Sequence, residues 1–238
     1  MWDNAALLRS IANALFAFSA CAVLYGAIYY TVHLPNLFPV QSVYMSAAPE
    51  KVSAAEVLQV VRSEVRGNFF TVDIERLRRS IEKLPWVRTT SIRREFPNRL
   101  VMKVEEHQAL AHWNNAALVN QQGEVFVAES TQVLPNFIGP DDASHEVAEQ
   151  YEQFSQQLTL LNLRATRVVL SARHAWQVRL SNDMVLELGR ENMQQRLARF
   201  VAVYPYSLAA MQGENVLSVK YVDLRYPNGF TVSSAIKS

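Results

Sequence analysis

Cysteine is nearly missing from this sequence: the only one, Cys21, lies within an apolar N-terminal run. The region beyond it can form no internal disulfide, so whatever folds there is held by its core alone. Glycine is scarce too, with 7 in 238 residues, which argues against phosphate-cradling loops and glycine-rich linkers. A basic excess is also lacking. The formal net charge is +1, whereas duplex-binding proteins carry a clear surplus of Lys and Arg, so nucleic acid is not an expected partner. With 50% hydrophobic and 19% charged residues, the bulk is globular, neither a disordered tail nor a many-span membrane protein. The length leaves room for a membrane anchor and one or two small domains.

Charge is missing altogether from one long stretch: no Asp, Glu, Lys or Arg occurs between Arg9 and Glu50. Within it, Ile11 to Tyr30 is apolar except for Asn13, Ser19 and Gly26. Twenty helical residues rise about 30 Å, the thickness of a bilayer's hydrocarbon core. Tyr25, Tyr29 and Tyr30 gather at the far end, where amphipathic rings prefer the headgroup layer, and Leu34-Pro35-Asn36 is a helix stop. A cleaved signal peptide is the competing reading, and Phe18-Ser19-Ala20-Cys21 faintly resembles a lipoprotein cleavage site. The apolar run continues past it to Leu34, which favours an uncleaved transmembrane helix over residues 11–33 behind a short tail, 1–10. Arg9 flanks the N-terminal side, and no basic residue follows until Lys51, so the tail is expected in the cytoplasm.

Residues 38–107 carry the pattern of a small mixed domain. Alternation over Val40 to Ser46 predicts a strand. Ser53-Ala54-Ala55-Glu56 has the form of a capping box opening a helix with Val57, Leu58, Val61 and Val65 on one face and Gly67 as its stop. Asp73 can cap a second helix bearing Ile74, Leu77, Ile81 and Leu84, which Pro85 ends. Trp86–Phe96 and Leu100–Glu106 form a hairpin about Phe96-Pro97-Asn98-Arg99, with Leu100, Met102 and Val104 facing one way and Val101, Lys103 and Glu105 the other. The order strand, helix, helix, strand, strand is a compact α+β unit. Arg76, Arg78, Arg79, Lys83, Arg88, Arg93, Arg94 and Arg99 could attract anionic headgroups or an acidic partner. The interleaved Glu64, Asp73, Glu75 and Glu82 favour a solvated face instead.

Residues 108–238 read as a second domain. Ala117–Asn120 and Glu124–Val127 flank a turn at Gln121-Gln122-Gly123, and Leu134–Ile138 is another short strand. Val147, Tyr151, Phe154, Leu158 and Leu161 recur at helical spacing, as do Met193, Leu197, Phe200 and Tyr204 before Pro205. Strands are expected at Thr166–Ser171, Trp176–Leu180 and Met184–Leu188. A long terminal strand, Val216–Tyr226, is bent by Pro227-Asn228-Gly229 before Phe230-Thr231-Val232. Such a sheet should present an accessible edge at its terminal strand.

Catalytic patterns are sparse. His107 and His112 come without a His-Glu-x-x-His pattern or cysteine cluster, and so read as structural. Glu105 and Glu106 point to opposite faces of a strand and cannot work as a pair. No nucleophile elbow, Walker loop or Rossmann fingerprint occurs. No enzyme, metal, cofactor or small-molecule substrate is implied.

Several segments, in order behind one anchor helix, carry a resemblance. They are Leu84-Pro85-Trp86-Val87 through Arg94-Glu95-Phe96-Pro97 to Val104-Glu105-Glu106, then Ala111-His112-Trp113-Asn114 and Ser171-Ala172-Arg173-His174-Ala175-Trp176. Leu188-Gly189-Arg190, Arg196-Leu197-Ala198-Arg199-Phe200 and Tyr221-Val222-Asp223-Leu224-Arg225-Tyr226 complete them. The layout resembles the FtsQ/DivIB family of bacterial cell-division proteins. The resemblance implies a single transmembrane helix, a POTRA domain over 38–107 and a mostly antiparallel β domain with two helices over 108–238, both periplasmic and at the division septum. It implies a non-enzymatic divisome scaffold that binds FtsB and FtsL and helps recruit septal peptidoglycan synthesis. The implied contact falls on Tyr221, Arg225 and Tyr226 on the terminal strand and on Asn228, Gly229 and Phe230 after it, with Arg173 as a further basic contributor. An edge strand offers unpaired N–H and C=O groups to an incoming segment, and Arg225 could fork a partner carboxylate. Tyr221 and Tyr226 could instead simply pack the sheet, and Pro227, lacking an N–H, should interrupt pairing. A POTRA-bearing component of outer-membrane protein insertion or secretion is the alternative reading.

Overall fold

A computed structural model describes residues 5–34, 37–207, 218–226 and 229–235. The chain divides into two compact units between Glu106 and His107.

The first unit begins with α1, Ala5–His33, a 29-residue apolar helix none of whose residues is buried by protein. It starts before the apolar run itself does, and Pro35 and Asn36 of the expected stop lie outside the described residues. Strand β1 (Ser42–Met45), helices α2 (Ala54–Glu64) and α3 (Ile74–Ile81), and strands β2 (Val87–Glu95) and β3 (Arg99–Glu106) follow in the expected order. The sheet order is β1-β3-β2, with β1 parallel to β3 and β2 antiparallel to it. Val57, Val61, Leu77, Ile81, Leu100 and Met102 form the core, so the stripes predicted for the helices and β3 face inward except at Leu58, which is 40% exposed because it lies off the buried Val57–Val61 line of α2. Val101, assigned to the outward face, is buried nonetheless.

Two carboxylates fix the helix starts of this unit, one locally and one from across the fold. Asp73 caps α3 as expected, accepting from Arg76 N at 2.9 Å. The capping box on α2 does not form: Ser53 has N-cap backbone angles but no side-chain cap bond. Instead the Glu106 carboxylate, from the end of β3, accepts the N–H groups of Glu50, Lys51 and Val52 at 3.0, 2.8 and 2.7 Å. A charged acceptor that satisfies three successive donors fixes the approach to α2 more strongly than a hydroxyl would. Glu105 points the other way, to Arg88 at 2.6 Å, as their alternation requires.

The second unit holds β4 (Ala109–Trp113), β5 (Ala117–Asn120), β6 (Val125–Phe126), β7 (Asn136–Ile138), α4 (Ser144–Thr159), β8 (Ala165–Leu170), β9 (Trp176–Leu180), β10 (Val185–Gly189), α5 (Met193–Val203), β11 (Ser218–Asp223) and β12 (Thr231–Ala235). They form one sheet in the order β12-β11-β10-β9-β8-β7-β4-β5-β6, mostly antiparallel, with parallel pairs at β10/β11, β7/β8 and β4/β7. The overall class is thus α+β, as expected. Helices α4 and α5 pack together and onto the sheet. Phe137, Phe154, Leu158, Trp176, Leu197 and Phe200 are fully or almost fully buried in the core between them. Phe154 meets Trp176 edge to face at 5.8 Å, an arrangement aromatic quadrupoles favour. His107 is structural: its ring stacks on Phe126 at 4.1 Å, and Asn120 Nδ2 lies 3.0 Å from its Nδ1.

The terminal strand departs from expectation. Where one strand was predicted over Val216–Tyr226, β11 ends at Asp223, and the separate strand β12 runs antiparallel along its outer side. Val216 and Leu217 lie outside the described residues. The physical reason is the reversal between Asp223 and Thr231, after which Thr231 pairs back onto Asp223. The edge of the sheet is therefore β12.

Replacing Glu106 with Gln tests the first unit's clamp. Burial pushes the Glu106 pKa up, but the bonds from Val52, Lys51 and Glu50, helped by the Lys51 charge, outweigh it and hold the carboxyl below the usual 4.5. A folded-state pKa below the unfolded one gives stability that is present above the unfolded value and lost as pH falls through the folded one. Glu106→Gln should cost about 1–2 kcal/mol at neutral pH. The difference should shrink as pH falls below 4.5, measured by urea unfolding at neutral and acid pH.

Candidate functional site

The far end of the second sheet gathers the implied binding residues, but in different roles. Tyr221 sits on β11, between β10 and β12, opposite Val185 on one side and Ser233 on the other. It is half-buried and bonded to Glu187. Burial first, then the nearby Glu187 and Asp223 charges, raise its pKa above 10.0. Tyr221 is thus a member of the sheet, not of its edge.

Arg225 lies just beyond β11, and its fork is already engaged. Its Nε lies 2.9 and 3.1 Å from the two Asp223 carboxylate oxygens, and its Nη2 lies 2.6 Å from Oδ2. Asp223 is almost fully buried and also accepts from Arg225 N at 3.0 Å. These Arg225 bonds hold the Asp223 carboxyl below its ordinary 3.8 and raise the arginine further above its usual range. The expected bidentate pairing with a partner carboxylate is therefore taken up within the chain, although the arginine side chain remains 57% exposed.

Tyr226 is the outward-facing aromatic, 54% exposed. Its backbone is pinned from α5: Arg199 Nη2 donates to Tyr226 O at 2.8 Å and to Leu224 O at 3.3 Å. Gly229 faces open space, and Phe230 is half-buried against the core. Asn228 and Pro227 lie outside the described residues. Thr231, Val232 and Ser233 of β12 are exposed, and among the described residues no strand pairs with its outer side.

At the ends of β9 and β10, next to Arg225, lies a depression of about 270 Å³ lined by Ala175, Glu187, Gly189, Arg190, Arg196 and Arg225, with Glu191. Gly189 is required there. Its φ is +73°, and a Cβ would stand 2.7 Å from Arg196 Nη1 and 3.1 Å from Arg225 Cγ. Arg196 Nη1 donates to Leu188 O at 2.6 Å, which keeps its charge at the rim. Arg173 is exposed in the β8–β9 turn, two residues before Ala175 but not itself lining the depression. Ser171 shapes that turn, its hydroxyl accepting from Ala175 N at 3.0 Å.

The sheet thus brings Tyr226, Phe230 and Arg225 together near the β12 edge, and it places Tyr221 inside. The residues not anticipated are Val232 and its strand neighbours, Asp223, and the arginines of the depression. Two of these leave a signal in sequence. Asp223 and Arg225 are two apart on extended backbone, which puts both on one face. Phe230-Thr231-Val232-Ser233 alternates with period two.

Removing the guanidinium should free Asp223 from the group that lowers its pKa while its burial persists. In Arg225→Ala, Asp223 should titrate well above its parent value in a carbon-detected NMR titration. An unchanged pKa would show that the fork is not what holds it.

The comparisons agree from end to end. Residues 38–107 match the POTRA domain of FtsQ type, and residues 111–225 match the C-terminal domain of the cell division protein FtsQ/DivIB. The cell division protein FtsQ of Nitrosospira multiformis is 42% identical over 97% of this chain and 98% of its own length. That of Burkholderia pseudomallei is 36% identical over 99% and 95%, and that of Escherichia coli 35% over 71% and 63%. The chain belongs to the FtsQ/DivIB family of bacterial cell-division proteins.

Proposed function

We propose that this chain is a non-enzymatic scaffold of the division machinery that binds FtsB and FtsL by strand addition to β12, and so helps recruit and regulate septal peptidoglycan synthesis. Residues 1–10 are the cytoplasmic tail and 11–33 the membrane span. The POTRA unit (38–107) and the β domain (108–238) stand in the periplasm, at the septum. Support for this topology comes from the stretch of α1 after Arg9, which carries no Asp, Glu, Lys or Arg, and from Arg9 itself in the first turns of the helix.

The observation that carries the binding reading is the open outer side of β12. An incoming extended segment would pair its backbone with Thr231–Ala235, giving affinity without demanding a side-chain sequence. Selectivity then comes from the groups around the edge. Tyr226 supplies an exposed aromatic anchor, of the type that dominates interface energetics, with Val232 beside it on the strand. Arg190, Arg196 and Arg225 line the neighbouring depression, and Arg173 stands near it, so an acidic residue following the added strand would be attracted there. Arg225 is held by Asp223 in a fixed position and contributes its field more than its fork. Both comparison matches are to this family, and no observation favours the outer-membrane assembly alternative.

The test is photo-crosslinking in dividing cells, with the probe at Val232 and separately at Tyr226 of the full chain. Capture of FtsB at both positions is expected, and it should drop steeply when Ser233→Pro removes an N–H from the edge strand. If FtsB is present and the protein folded, yet neither probe captures it, strand addition at β12 is wrong.

A further inference from the structure

We propose that the first unit makes a second, non-spanning contact with the membrane: a phenylalanine face built from Phe38, Phe70 and Phe96, seated in the outer headgroup layer of the bilayer that α1 crosses. The proposal goes beyond the scaffold reading and rests only on α1 spanning the membrane.

The face is tied directly to the end of the helix. Asn68 is fully buried, and its Nδ2 donates to the carbonyls of Val32 and Leu34 at 2.6 and 3.0 Å, groups that the end of a helix leaves without intrahelical partners. Its Oδ1 accepts from Phe70 N and Thr71 N at 2.9 and 3.0 Å, so one amide side chain holds the loop onto the last turn of α1. Phe69 N donates to Phe38 O at 2.8 Å, and Arg94 clamps the other side of the loop through the carbonyls of Phe69 and Val72 at 2.8 and 2.7 Å. The β2–β3 hairpin tip joins them, because Gln41 N donates to Asn98 O at 2.9 Å and Asn98 Nδ2 to Gln41 Oε1 at 2.7 Å.

The rings themselves form one cluster. Phe38 meets Phe70 at 5.3 Å, and Phe69 meets Phe70 at 5.2 Å and Phe96 at 6.4 Å. Phe69 is buried at the centre, while Phe38, Phe70 and Phe96 are 44, 40 and 75% exposed. Exposed aromatic rings grouped in this way need a partner surface.

The level of that surface follows from α1. Tyr29 and Tyr30 mark the headgroup layer, and Val32 lies two residues further, about 3 Å along the axis. Groups hydrogen-bonded to Val32 and Leu34 therefore stand at headgroup depth, where apolar rings gain by partial burial and Arg94 and the exposed Arg66 meet anionic lipid phosphates. The rigid tie also means that the first unit is held against the surface through a fixed joint.

The test uses the full chain with Cys21→Ser, reconstituted into phosphatidylcholine–phosphatidylglycerol vesicles that carry nitroxide-labelled lipid near the headgroup. An environment-sensitive fluorophore is placed in turn on Phe96→Cys, Phe70→Cys, Tyr30→Cys and Lys83→Cys. Lys83 is exposed and precedes β2, at the end of that strand opposite Phe96. The Phe96 and Phe70 labels should lose emission as strongly as the Tyr30 label, with the Lys83 label unaffected. Phe96 is the most exposed of the three rings, so its label reports even if the Phe70 substitution loosens the loop. If the Tyr30 label is quenched while both phenylalanine positions stay as bright as Lys83, the face stands clear of lipid and the proposal is overturned. If the Tyr30 label is itself unquenched, the spanning reading of α1 falls and the proposal falls with it.

Discussion

The parallel pairing of β11 on β10 is the constraint on which the working end of the second unit depends. A parallel neighbour requires a crossover, and the chain supplies it through α5, which packs on the same sheet. Once β11 lies beside β10, Leu224 N still reaches Glu187 O at 2.9 Å. Val222 and Leu224 are then carried into the core and Asp223 is buried between them. That buried carboxylate requires a cation, and Arg225 provides it at once. Arg199 reaches down from α5 to the following carbonyls, so the helix that made the crossover also fixes where the strand ends. The reversal and β12 follow from there, and the exposed edge of the sheet is one strand further out than the conspicuous Tyr-Val-Asp-Leu-Arg-Tyr segment.

The same logic, a side chain satisfying backbone groups across the fold, recurs in the first unit. Glu106 closes the approach to α2, Asn68 closes the end of α1, and Arg94 takes three carbonyls of the loop between the helices. In a chain with no disulfide-capable pair, such buried or half-buried polar ties fix the loops that a hydrophobic core of this size leaves free. The long cluster of arginines from 76 to 99 is correspondingly a mixed population. Arg76, Arg78, Arg88 and Arg99 pair with glutamates on the surface, whereas Arg94 serves the backbone.

What could be read from the sequence was whatever has a local period or a local turn. The stripes of α2, α3, α4 and α5, the Asp73 cap, and the hairpin about Pro97-Asn98 all depend on neighbours within a few residues, and all appear where expected. That β12 is a separate strand folded back on β11, not a bent continuation of it, was missed because its alternation is short and built from Thr, Val and Ser, with little apolar contrast. Its existence depends on pairing with β11 rather than on its own propensity. The capping box at Ser53 failed for a similar reason. What fixes the chain before α2 is instead a carboxylate more than fifty residues away, which no local window contains. In the site, Tyr226, Phe230 and Arg225 lie toward one end of the sheet. Tyr221 and Arg225 nonetheless proved to be engaged by the fold itself.

The central claim is that β12 is the edge at which the second unit receives a partner strand. Backbone amide exchange of residues 231–235, measured with and without the periplasmic segment of FtsB, tests it directly. Strong slowing confined to β12 and the neighbouring 224–226 segment, with the short opposite edge at Val125–Phe126 unchanged, is the result the account predicts. Binding that leaves 231–235 exchanging as before, with protection appearing at another edge, would contradict it.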